Sequence, residues 1–150
     1  MKSKLQRRKF LGLAGIGLLG SRSALGQSCS ITPAQGSGPF YPITDRGDTD
    51  WDLTQIDDNP GQATGEQLLL SGTIRNRNCQ PIPNALVEMW QANHWGKYDH
   101  PGDTSTRPHD PNFQYWGRMT TDSQGNYKFK TIVPGLYSGR TRHLLSLIHI

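Results

Sequence analysis

A chain of 150 residues has room for one domain and one core of useful size. Its 17 Gly, 10 Pro and 33% hydrophobic residues suit strands and turns, which excludes a helical bundle, and its apolar runs exclude a wholly disordered chain. The formal charge of +4 suggests a polyanionic partner only until it is located. Six of the 16 basic residues lie within residues 1–26, where there is no acid, leaving ten against all 12 acidic residues and a net charge of −2. No Lys/Arg stripe interleaved with aromatics remains, so a nucleic-acid binder is excluded.

In chain order, Lys2 to Lys9 is a positive n-region, Leu11 to Gly20 an apolar h-region, and Ser23-Ala24-Leu25-Gly26 a small-residue cleavage site. The apolar run is about half of the ~20 residues that span a bilayer, so no stable membrane span is expected. Gln6-Arg7-Arg8-Lys9-Phe10-Leu11 looks like a twin-arginine leader, a route that exports folded proteins. Residues 1–26 are therefore read as a twin-arginine-type signal peptide cleaved after Gly26, and the protein as periplasmic or extracellular. In such a compartment Cys29 and Cys79, the only cysteines, can pair or remain two free thiols, and their spacing does not decide which.

Residues 27–66 read as an extended arm, punctuated by Thr32-Pro33, Gly38-Pro39, Tyr41-Pro42 and Asn59-Pro60-Gly61. Asp45, Asp48, Asp50, Asp52, Asp57 and Asp58 make it acidic without calcium-loop spacing, so a solvated surface is expected. Strand signals begin at Leu68–Ile74. Asn76–Pro83 is turn-rich, and Ala85–Gln91 is a second strand with Leu86, Glu88 and Trp90 on one face and Ala85, Val87 and Met89 on the other. Tyr115–Thr121 is a third strand. Asp122-Ser123-Gln124-Gly125-Asn126 is a hairpin-type turn into Tyr127–Ile132. Short strands without a helical stretch predict an all-β, antiparallel β-sandwich over residues 67–144, behind the N-terminal arm.

Several motifs stand in a fixed order: Gly38-Pro39-Phe40-Tyr41, Pro83-Asn84-Ala85-Leu86-Val87-Glu88-Met89-Trp90-Gln91-Ala92-Asn93, Gly96-Lys97-Tyr98-Asp99-His100, Asp110-Pro111-Asn112-Phe113, Gly117-Arg118, Thr121 to Phe129, and Pro134-Gly135-Leu136-Tyr137. Together they resemble the intradiol ring-cleavage dioxygenases, in particular those like the catalytic chain of protocatechuate 3,4-dioxygenase, over residues 29–144. The resemblance implies a non-haem Fe(III) held by two tyrosines and two histidines. Tyr98 matches the equatorial tyrosine, Tyr137 the axial tyrosine and His143 the first histidine. Arg140 matches an arginine beside the substrate ring, where it would stabilise negative charge. Arg142 has no such counterpart and is expected as a solvated strand residue. His94, His100 and His109 are expected as surface histidines.

Hard, anionic phenolates favour Fe(III), which in turn pulls the phenol pKa down. The implied reaction inserts both atoms of O2 into a catechol-type substrate. The ring opens between its two hydroxylated carbons to a cis,cis-muconate-type product, with Tyr137 acting as a base. A homo- or hetero-oligomer is compatible with the resemblance.

The pattern is broken at one place. The second histidine should stand two residues after His143, and Leu145 is there. His149 does not substitute, since six extended residues cover about 20 Å. Leu145-Ser146-Leu147-Ile148-His149-Ile150 is read as an adapter-derived, non-native tail, with the true frame diverging near Leu144. A non-catalytic β-sandwich binding module is the alternative, because Gly72 to Val87 also resembles the opening of transthyretin-like and carboxypeptidase-accessory domains. Those modules do not need Tyr98, Tyr137, Arg140 and His143 together.

Overall fold

The computed structural model describes residues 29–150, apart from Arg46 and Ser138. The twin-arginine leader and its cleavage site lie outside the described residues. No helix forms among them; five strands do. These are β1 (Gln67–Thr73), β2 (Leu86–Trp90), β3 (Trp116–Thr120), β4 (Asn126–Ile132) and β5 (Leu145–His149). β1 and β4 form one antiparallel pair, and β3-β2-β5 form a three-stranded antiparallel sheet. The expected two-layer, all-β arrangement is thus present, with each predicted strand within two residues of its place.

Between the layers, Val87 and Met89 of β2 meet Phe129 and Ile132 of β4, with Ile74 and Ala85 flanking the strands and Leu53, Phe113 and Tyr115 supplied by loops. Period-2 alternation aims Val87 and Met89 at this core. It necessarily turns Glu88 and Trp90 the other way, yet both are also buried. The arm explains this. Tyr41 packs edge-on against Trp90, with ring centroids 5.1 Å apart. β2 is therefore covered on both faces, as in a strand buried at the centre of a fold.

The arm is not free. Trp51 and Leu53 hydrogen-bond in parallel fashion to Lys130 of β4. Cys29 and Cys79 form a disulfide with Cα atoms 5.1 Å apart, so the open question of two free thiols resolves to a bridge. Closing a loop of that span contributes about 4 kcal/mol in the chain-entropy account.

The segment read as a foreign tail forms β5. Leu86 to Trp90 pair in register with His149 to Leu145. Backbone pairing of this kind is open to any extended segment laid on a sheet edge.

Candidate metal centre

Tyr98 and Tyr137 stand on two loops that cross at very short range. Gly96 lies against the carbonyl of Leu136, and Gly135 against the backbone of His94 and Gly96. A side chain at either position would collide with backbone. Gly96 also has φ +82°, a conformation that glycine adopts without cost. The Gly135 amide donates to the Asn93 carbonyl at 2.8 Å, locking the crossing. As a result the Tyr98 and Tyr137 rings meet edge to face with centroids 5.4 Å apart.

The Tyr98 loop is wound around Lys97. The ammonium donates to the carbonyls of Asp103 (2.6 Å) and Ser105 (2.7 Å), and the Asp103 carboxylate accepts from the Tyr98 amide at 2.7 Å. Burial alone would raise the Asp103 carboxyl. Donation from Tyr98 and Ser105, together with the Lys97 charge, outweighs it and holds the group below the usual range.

His143 closes the arrangement. Its Nε2 lies 3.2 Å from the Tyr98 hydroxyl and its Nδ1 lies 2.8 Å from the Thr141 carbonyl. A carbonyl only accepts, so Nδ1 carries the proton and Nε2 presents its lone pair toward Tyr98. That is the tautomer a metal-binding imidazole needs, held by the backbone contact that usually sets it.

These groups line one cavity of about 260 Å³, together with Gln35, Gly38, Phe40, Arg140 and Leu145. Arg140 follows Tyr137 through a tight turn in which its amide donates to the Tyr137 carbonyl at 2.8 Å. The four residues singled out from the sequence, Tyr98, Tyr137, Arg140 and His143, are therefore brought together. Leu145, at the place of the missing histidine, lines the same cavity.

The donor set fits a hard trivalent cation: two phenols and one correctly protonated imidazole face one space. Among the described residues no cluster of three His, Cys, Asp or Glu offers a competing site. With no cation bound, burial foremost, then the neighbouring Tyr137 and Asp103, push the Tyr98 hydroxyl up to about 12, against the pull of Arg140. Ionising it at neutral pH thus requires a cation.

Other readings are sorted by the same geometry. His94 and His109 are exposed, and His109 faces Asp99 at 3.2 Å. His100 is half-buried against Phe40. Arg142 is exposed but not in a strand; its Nε donates to the Pro134 carbonyl at 2.9 Å. The residue the sequence reading left without a role is Phe40. It packs against Tyr98 at 5.0 Å and Tyr137 at 5.3 Å between centroids. Its motif was visible, but no local pattern says that an arm residue will cross 58 positions to reach Tyr98.

Tyr115 is a buried phenol with a structural task. Its oxygen accepts from the Asp110 amide (2.8 Å) and the Asn93 side-chain amide (2.9 Å). Burial pushes its hydroxyl from 10.0 up to about 12, against the pull of those donors. The native state therefore holds this proton more tightly than the unfolded chain. Its stabilisation is complete below about pH 10 and is lost as pH rises through about 12. Tyr115→Phe leaves the Asp110 amide without this partner and is expected to cost about 1–3 kcal/mol at pH 7. Urea unfolding at pH 7 and pH 11 should show the gap between wild type and variant narrowing at the higher pH.

A family model described as "Dioxygenase" matches residues 37–150. The protocatechuate 3,4-dioxygenase beta chain of Burkholderia cepacia is 42% identical over 99 residues, which is 66% of this chain and 42% of that protein. Among solved structures, the dioxygenase domain of a dioxygenase–carbohydrate-binding protein fusion from Streptomyces sp. SirexAA-E superposes with a TM-score of 0.60. It is 31% identical, covering 80% of this chain and 67% of that one. The intradiol ring-cleavage dioxygenase of Tetranychus urticae gives a TM-score of 0.62 at 28% identity, covering 81% and 59%. The chain thus spans about two-fifths of the curated relative. A transthyretin-like binding module is not what these matches describe. With two tyrosines, a histidine and an arginine on one cavity of an antiparallel sandwich, the chain belongs to the intradiol ring-cleavage dioxygenase family.

Proposed function

We propose that this chain carries the catalytic core of a non-haem Fe(III) intradiol dioxygenase. The enzyme would insert both atoms of O2 into a catechol-type substrate and open the ring between the two hydroxylated carbons to a cis,cis-muconate-type product. The observation that carries this is the 3.2 Å approach of the Tyr98 hydroxyl to a backbone-fixed His143 Nε2, on a cavity that Tyr137 and Arg140 share.

Tyr98, Tyr137 and His143 would hold the ion. Bound Fe(III) would supply Lewis acidity to both substrate oxygens and the redox chemistry that lets an aromatic ring react with O2. Tyr137, which is half-buried, would take a proton from an entering catechol hydroxyl. Arg140 lines the cavity without an ion-pair partner among the described residues. Its charge already favours the anionic form of Tyr98. It would stabilise negative charge on the substrate in the same way. Phe40 supplies an apolar wall for a flat ring.

The paired arginines and apolar run of residues 1–26 support export in folded form, after any metal has been acquired. We place the missing ligand at position 145, and read Leu145–Ile150 as foreign to the native frame. Resequencing the locus tests that reading: a genomic frame that continues Leu-Ser-Leu-Ile-His-Ile would sink it.

The direct test of function is oxygen uptake by the full-length gene product on catechol, protocatechuate and hydroxyquinol, with product spectra. Uptake with one or more of them, giving the absorbance of a muconate, is expected. An iron-free, colourless protein that consumes no O2 with any of the three would overturn the reading.

A further inference from the structure

β2 turns a carboxylate away from the main core. Glu88 is only 4% exposed, and its Oε2 accepts from the Tyr41 hydroxyl at 2.9 Å; its other neighbour, His149 Nε2 at 2.9 Å, belongs to the segment read as foreign. A carboxylate at that depth requires partners, and Tyr41 reaches it from 47 residues away. Burial raises the Tyr41 hydroxyl above the ordinary phenol range and Glu88 adds to the rise, outweighing the opposing charge of Arg118. The hydroxyl therefore stays a donor.

Tyr41 directly follows Phe40, whose ring is a wall of the cavity against Tyr98 and Tyr137. Upstream, the cavity-lining residues Gln35 to Phe40 lead back to the Cys29–Cys79 bridge. Downstream, Arg118 of β3 donates to Asp45 and Thr49. Between Gln35 and Phe40 no backbone hydrogen bond among the described residues ties the segment to a sheet. Its placement over the cavity depends on what fastens each end.

We propose that Glu88 is a positioning residue, a buried latch that grips the arm through Tyr41 and so keeps Phe40 against the two tyrosines as one wall of the substrate cavity. Glu88 touches neither metal ligand nor cavity; it acts through Tyr41. This inference rests on the assignment of that cavity as the substrate site.

The test uses Tyr41→Phe, Glu88→Leu and Glu88→Gln with two readouts. The first is chymotrypsin cleavage after Phe40, followed after reduction of the disulfide, with cleavage after the core residue Phe129 as the control for global unfolding. Tyr41→Phe and Glu88→Leu are expected to speed cleavage after Phe40 about tenfold and to leave Phe129 protected; a hydrogen bond to a charged group is of that order. Glu88→Gln keeps an acceptor and should stay within about threefold of wild type. The second is the kinetics of the full-length enzyme on a catechol. A loosened wall should raise KM with kcat unchanged, the pattern of lost uniform binding.

Unchanged cleavage after Phe40 in Tyr41→Phe, or an equal rise at Phe129, would overturn the latch. A fall in kcat at constant KM would do so too, since it reports lost active protein. If wild type turns over no catechol, the functional reading fails while the proteolysis still decides the latch.

Discussion

Replacing Leu145 by histidine is expected to raise the affinity of this chain for Fe(III) about 60- to 700-fold. A complete four-ligand protein site is worth roughly 10–16 kcal/mol, so one ligand in four is worth about 2.5–4 kcal/mol, and each 1.4 kcal/mol is tenfold. Position 145 is the place proposed for the fourth ligand, and the Leu145 side chain lines the cavity that holds Tyr98, Tyr137 and His143. The leucine is half-buried and packs beside Trp90, Tyr98 and Tyr137, so an imidazole of similar size has room there. Competition with a chelator gives the affinity, and a visible phenolate-to-Fe(III) band should intensify with it. Equal iron affinity in Leu145→His and the parent would show that the fourth ligand belongs elsewhere.

Tyr98→Phe should abolish iron-dependent colour and oxygen uptake in the full-length enzyme while leaving the fold intact. The two effects separate because the ring and the hydroxyl have different jobs. The ring packs against Phe40 and Tyr137, which phenylalanine reproduces. The hydroxyl makes one side-chain contact, to His143, and it stays protonated until about pH 12 without a cation. Folding at neutral pH therefore uses no phenolate, and losing one neutral hydrogen bond changes stability by about 1 kcal/mol. Iron loses an anionic donor of the kind that favours Fe(III), for a drop in affinity of about 100-fold or more. Thermal unfolding checks the first half, and iron content with catechol-dependent O2 uptake the second. Retained turnover with bound iron would remove Tyr98 from the ligand set.

Much of this was legible along the chain. Strand β4 announces itself by Tyr127 and Phe129 alternating with Lys128 and Lys130 after an Asp-Ser-Gln-Gly turn, and Lys130 does turn outward to meet Asp52 at 3.0 Å. Tyr98, Tyr137, Arg140 and His143 could be named because their motifs keep family order. The acidic arm was only partly legible. Asp52 is engaged by Lys130 and by Thr54, and Asp48 accepts from the Asp57 amide, so the run is woven into the surface and not merely solvated.

The sequence by itself determined the class of fold and the family, and it supplied the donor types proposed for the metal. Period-2 patterning, turn chemistry and ordered motifs are local properties, written in adjacent residues. Tertiary structure alone decided the rest. It joined Cys29 to Cys79, turned the second face of β2 into a buried layer, and chose the His143 tautomer through the Thr141 carbonyl. It also brought the arm across the sheet to make Phe40 a wall and Tyr41 a partner of Glu88. Each of these is a contact between distant residues. Their energies depend on which groups are removed from water together, and no one-dimensional pattern records that.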